Sequence, residues 1–174
     1  MKQIQQTASF FFVLSAIFTI QVMKEHFQYP DENIIPIFYK FIYKYESLDV
    51  KTLSDKQIKD FVSNSSFADF EKALAIIQKI GQCHKVRDNK AIYSMFNEYQ
   101  GGKMPTSEFH FEKRTKKATF LNSLLFHLRN TLAHAGFKEE GNYYKIVDYD
   151  DMRLSAFGYI DKSVFMQLLV AFTK

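Results

Sequence analysis

Phe120 to Phe137 reads FLNSLLFHLRNTLAHAGF, and the spacing of its apolar residues sets how the rest of the chain is read. At roughly 100° per residue, Leu121, Leu124, Leu125, Leu128, Leu132 and Ala135 fall within one arc about 100° wide, the width of a helix face packed on a core. The remaining circumference carries Asn122, Arg129, Asn130, Ser123, His134 and His127, with only Phe126 and Ala133 among them. A solvated face would hold Lys and Glu. This one holds groups that donate or accept hydrogen bonds near neutral pH, including two imidazoles seven residues apart and almost eclipsed. The helical pattern runs from Thr115 to Ala135, and Gly136 ends it as a left-handed cap would.

Working outward, the period changes after Gly136. Asn142 to Asp148 and Arg153 to Tyr159 are β-rich runs joined by an Asp-rich turn, which predicts a small hairpin; Asp161 then caps a last helix, Lys162 to Thr173. On the other side, Asp31 to Tyr45 has acidic residues and Pro36 early and lysines late, the polarity of a helix. Ser54 caps Asp55 to Val62, Phe67 to Ile80 shows helical spacing and stops at Gly81, and Asp88 to Tyr99 is closed by Gly101-Gly102 and Pro105. The expectation is a mainly α chain: a single domain over residues 1–174, a helical bundle with one small β-hairpin before the C-terminal helix.

The composition agrees with one packed domain. Of 174 residues, 47% are hydrophobic and 24% charged, and 19 Phe and 10 Tyr supply large apolar groups. The lone Cys83 excludes an internal disulfide and any site built from several cysteines. A formal charge of +4 permits an anionic partner only where the positive charges cluster. Ala8 to Ile20 (ASFFFVLSAIFTI) is apolar, but it is shorter than the roughly 20 residues a spanning helix needs, holds Ser9, Ser15 and Thr19, and lacks the cationic start of a signal peptide. It reads as a buried central helix, with a membrane anchor as the alternative; the chain is expected to be cytoplasmic, with no membrane partner.

Arg129-Asn130-Thr131-Leu132-Ala133-His134 has the arrangement R-N-x-x-x-H and resembles the R-x(4-6)-H motif of the HEPN superfamily, compact helical bundles found in bacterial toxins, abortive-infection proteins and RNA-guided effector nucleases. Asn directly after Arg, a small residue before His, and a place near the end of a long amphipathic helix carry the resemblance. It implies a metal-independent endoribonuclease, with no cofactor and no metal, in which the ribose 2′-OH attacks the adjacent phosphate and leaves a 2′,3′-cyclic phosphate. It further implies a toxin or phage-defence effector, with RNA as partner and an antitoxin protein as a further one. The alternative is a catalytically silent module that binds RNA or a partner protein.

The residue types suit the implied chemistry. The reaction needs a proton acceptor or donor near neutrality and a fixed cation for the charge that develops on phosphorus. His134 and Arg129 are those types, and Asn130, one turn before His134, can orient the ring or bind phosphate. His127 reads as an auxiliary site residue or as a dimer contact, and His134 taken alone could instead bond the last helix carbonyls. Five residues on one helix separate Arg129 from His134, a divergence of roughly 140° over about 7.5 Å. In the family two motifs meet, and the single motif here implies a homodimer with the two polar faces together. Lys113, Arg114, Lys116 and Lys117 precede the motif helix and read as an RNA-backbone contact or as a solvated helix start. Tyr143, Tyr144 and Tyr149 read as hairpin packing, with base stacking as the alternative.

Overall fold

The computed structural model describes residues 34–174 apart from Ala135; the helix read over Ala8 to Ile20 lies outside the described residues. The elements in chain order are α1 (Ile34–Ser47), a 3-10 turn (Val50–Thr52), α2 (Asp55–Asp60), α3 (Asn64–Ile80), β1 (Gly81–His84), α4 (Lys90–Gln100), β2 (Glu108–Glu112), α5 (Phe120–Ala133), β3 (Phe137–Glu140), β4 (Tyr143–Asp150), β5 (Arg153–Asp161) and α6 (Lys162–Thr173). The five strands form one mixed sheet in the order β1-β2-β5-β4-β3.

This sheet corrects the expected fold class. The chain is α/β, not a mainly α bundle with one small hairpin. The hairpin exists: β4 and β5 pair antiparallel through Asp151 and Met152, both at positive φ (47° and 63°), the pattern of a two-residue turn that matches strand twist. It is the middle of a larger structure. On its β5 side β2 adds antiparallel, with Phe109 opposite Gly158 and Phe111 opposite Ala156. β1 adds parallel to β2 through the crossover helix α4, since parallel neighbours cannot be joined by a tight turn. β3 closes the other edge, with Phe137 opposite Ile146.

Each face of the sheet has its own core. Against one face α1, α3, α5 and α6 bury Phe41, Phe70, Leu124, Leu125, Leu128, Phe165 and Phe172 with Phe109, Phe111 and Ile146 of the strands. Against the other, among the described residues, α4 packs, burying Ile92, Met95 and Tyr99 on Leu154, Phe157 and Tyr159. β2 is therefore enclosed on both faces, so that its alternating Glu-Phe-His-Phe-Glu sequence buries the polar His110 and Glu112 as well as the two phenylalanines.

Two glycines are required by close approach. A Cβ at Gly136 would run into the Val147 carbonyl, because β4 lies against this residue and the Val147 N–H donates to the Gly136 carbonyl at 2.7 Å. The Gly136 N–H donates to the Thr131 carbonyl at 2.9 Å, closing the end of the motif helix. A Cβ at Gly158 would likewise strike the Glu108 carbonyl of β2. The motif helix is also shorter than predicted. It begins at Phe120, capped by Thr119, whose hydroxyl accepts from the Asn122 N–H at 3.2 Å. The cations of 113–117 thus lie in a loop and not in a first helical turn, where the helix dipole would oppose them. Among the described residues no helix is long and apolar enough to cross a membrane.

Candidate functional site

Helix α5 is buried nearly all round, so its polar residues face protein before they face solvent. At its start Asn122, 3% exposed, donates to the Val50 carbonyl at 2.8 Å and accepts from Arg114 Nε at 3.3 Å. The Ser123 hydroxyl accepts from the Arg114 N–H at 3.2 Å. One turn beyond Ser123, His127 is 2% exposed. Its Nε2 lies 2.8 Å from the Glu112 carbonyl and its Nδ1 lies 2.7 Å from Asp148 Oδ2. A carbonyl only accepts, so Nε2 carries a proton. The second contact ties the other ring nitrogen to the Asp148 carboxyl group.

Asp148 links this buried pair to the motif. The Asn130 amide donates to the same Asp148 Oδ2 at 3.3 Å, and its carbonyl oxygen accepts from the Arg129 guanidinium at 3.0 Å. Arg129 Nε stands 2.6 Å from Glu46 of α1, with 14% of the arginine side chain exposed. A chain of polar contacts therefore runs from α1 through Arg129, Asn130 and Asp148 to His127 and the end of β2. His134 lies at the C-terminal boundary of α5. Its N–H closes the last helical bond to the Asn130 carbonyl at 2.8 Å, and its side chain is exposed.

The structure thus brings Arg129 and Asn130 together and leaves His134 in solvent one turn beyond. It gives His127 a different place from either expected role: a buried ring bonded at both nitrogens has no atom left for a substrate or a second protomer. The expected dimer face changes with it, since Asn122, Ser123, His127 and Thr131 are covered by the chain itself. Only Phe126, Arg129, Asn130, Ala133 and His134 of that face remain partly or fully accessible.

The basic segment is divided in the same way. Arg114 is held by Asn122 and by the Lys51 carbonyl, with its guanidinium 5.8 Å from the Phe126 ring. The Lys113 N–H donates to the His84 carbonyl at 2.8 Å, whereas Lys116 and Lys117 are exposed. Beside this segment a cavity of about 240 Å³ is lined by Arg87, Glu112, Lys113, Arg114, Phe126 and Arg153, among others. The buried Glu112 carboxylate pairs with Arg153 and accepts from the Arg87 N–H at 2.8 Å, fixing Arg87 at a left-handed φ of 61°.

Asp148, Glu46, Glu112 and Arg153 escaped the sequence reading. One signal for Asp148 was present: it falls in step with the inward Tyr144 and Ile146 of β4, and a carboxylate on a buried strand face needs a partner. Glu46 carried no such sign. Burial pushes the Cys83 thiol up to about 11, which keeps it protonated and unreactive near neutrality. Among the described residues no group of three His, Cys, Asp or Glu is placed to hold a metal ion. Comparison with models of known protein families, with curated proteins and with solved structures gave no match.

Proposed function

We propose that this chain is an endoribonuclease of the HEPN type that cuts RNA without a metal, acting in the cytoplasm as a homodimeric toxin or phage-defence effector. The observation that carries the proposal is the exposed imidazole of His134 one turn beyond an Arg129–Asn130 pair that Glu46 and Asp148 hold in place. Fixed donors beside an accessible acid–base group are what an in-line displacement at phosphorus requires.

In the proposed reaction the ribose 2′-oxygen bonds to the adjacent phosphorus and the bond from phosphorus to the 5′-oxygen breaks. The 2′-OH proton passes to an imidazole, and the departing 5′-oxygen takes one from an acid. Arg129 and Asn130 face the phosphate oxygens, where guanidinium offers paired donors. Each chain supplies one exposed motif imidazole, so a second copy supplies the other proton-transfer group. Phe126 and Ala133 lie on the accessible part of α5 through which two copies would approach. Lys116 and Lys117 would hold the strand by its backbone, without base preference.

The Glu46 ion pair favours a second reading, a module that binds RNA or a partner protein without cutting, because a carboxylate already occupies one edge of the Arg129 guanidinium. Purified wild-type and His134→Ala chains incubated with RNA in EDTA separate the two. The proposal expects 2′,3′-cyclic phosphate ends from wild type and none from the variant. Uncut RNA with wild type, or 3′-OH ends, would overturn it.

A further inference from the structure

The described residues cover the α4 face of the sheet only in part. α4 packs on β2 and β5, and beyond its edge β3 and β4 leave a groove of about 310 Å³ lined by Phe96, Gly136, Phe137, Lys138, Lys145, Val147 and Tyr149. We propose that this groove is a nucleobase pocket, taking the base of the nucleotide next to the phosphate at His134. The inference rests on the ribonuclease reading and adds where the strand lies.

Three observations converge on a base attached to a phosphate. The walls are apolar and aromatic and held from below: the Phe96 ring packs edge-on against Phe157 at 5.1 Å, while Tyr149 is 54% exposed and offers an open ring face. The rim is cationic. Lys138 and Lys145 share a single carboxylate, Glu140, at 3.3 and 3.9 Å, and that carboxylate also accepts from the Tyr159 hydroxyl at 3.0 Å, so positive charge is in surplus. The position fits as well. Gly136 lines the groove two residues after His134, and two residues span at most about 7 Å, comparable with one extended nucleotide.

The local backbone ties the groove to the motif. Adjacent residues of β4 serve the two sites, as the alternation of a strand allows: Asp148 holds Asn130 on the core face, and Tyr149, across a β-bulge at that step, lines the groove. A groove of about 310 Å³ is the size of a small-molecule site, which favours a small flat group. Stacking makes no use of base edges, so the pocket accepts any base.

The test measures binding apart from cutting, with His134→Ala as the parent and a short fluorescent oligoribonucleotide as the probe. Tyr149→Ala removes the exposed ring, and Val147→Phe fills the groove with a strand-compatible residue; circular dichroism checks that each is folded. Each is expected to weaken binding about tenfold, in keeping with the loss of one stacked base. An oligonucleotide abasic throughout should bind the parent less tightly but the Tyr149→Ala chain with nearly the same affinity as the intact one. Unchanged affinity in both variants, equal binding of abasic and intact strands to the parent, or no RNA binding by the parent overturns the pocket. A change in oligomeric mass without a change in RNA affinity assigns the groove to protein contact and overturns it too. A wild-type chain that binds RNA with this pattern but never cuts it would remove the ribonuclease reading and leave the pocket standing.

Discussion

His127 and His134 lie two turns apart on α5 and nearly eclipse each other on a helical wheel. The first is 2% exposed with both ring nitrogens engaged; the second stands in solvent at the helix end. Between them Arg129 and Asn130 are half-buried and bonded to both sides. The polar face of the helix is thus a gradient, scaffolding at its start and an accessible group at its finish. Residue type and angular position are the same for both histidines. What differs is what the strands do to them: Asp148 of β4 and the Glu112 carbonyl of β2 bond to the ring of His127, whereas the side chain of His134 is exposed.

The strongest way to break this contrast is to remove the carboxylate behind His127. Asp148→Ala leaves a buried imidazole without its partner and Asn130 without its anchor, and should cost about 3–5 kcal/mol in urea unfolding. His134→Ala should leave the unfolding midpoint within about 0.5 kcal/mol of wild type while lowering RNA cleavage by about 10²- to 10⁴-fold, the usual contribution of a general acid or base. Equal losses of stability in the two variants would erase the distinction between the histidines.

Arg129→Ala lies between these extremes. It should abolish cleavage and also lower stability by about 1 kcal/mol through loss of the Glu46 pair, whereas Glu46→Gln should preserve the fold and tighten RNA binding by exposing the guanidinium edge. Looser binding by the glutamine variant would mean that Glu46 orients Arg129 and does not compete with phosphate.

The smallest expected effect is one of pH, at a third histidine. His110 of β2 is buried beside His84 at 3.3 Å, and burial together with that neighbour lowers its pKa; Glu108 opposes the shift and Lys103 adds to it. The unfolded chain binds a proton here below about pH 6.5 that the folded chain resists. Stability contributed by the neutral ring is therefore present above that pH and declines as pH falls through it. Urea midpoints at about pH 7.5 and about pH 5 should differ less in His110→Gln than in wild type.

Much of this was legible in the sequence, and what was missed has identifiable causes. Helices announced by caps and periodicity sit where Ser54, Asp161 and the leucines of α5 placed them, and the Asp151-Met152 hairpin was visible in its flanking β-rich runs. The sheet around the hairpin was not. β1 and β3 have four residues each, too few for a period, and β1 starts at the very glycine that ends α3. β2 did alternate, as Phe109, His110 and Phe111, but its two buried faces hid the pattern. The motif Arg129-Asn130-His134 could be read directly, whereas Glu46 and Asp148, far away in sequence, are partners that only the tertiary fold supplies.

The narrow gap at Gly158 has a consequence for how the chain assembles. β4 and β5 meet through a two-residue turn, a local event on a scale of about 1–10 μs. β2 must instead find β5 across a separation of 49 positions, from Phe109 to Gly158, a non-local closure that sets the pace of folding. Gly158 is where that late partner docks. A methyl group there would spare the hairpin and obstruct the step after it, stranding a half-built sheet with one edge of β5 unpaired and open to association with other chains.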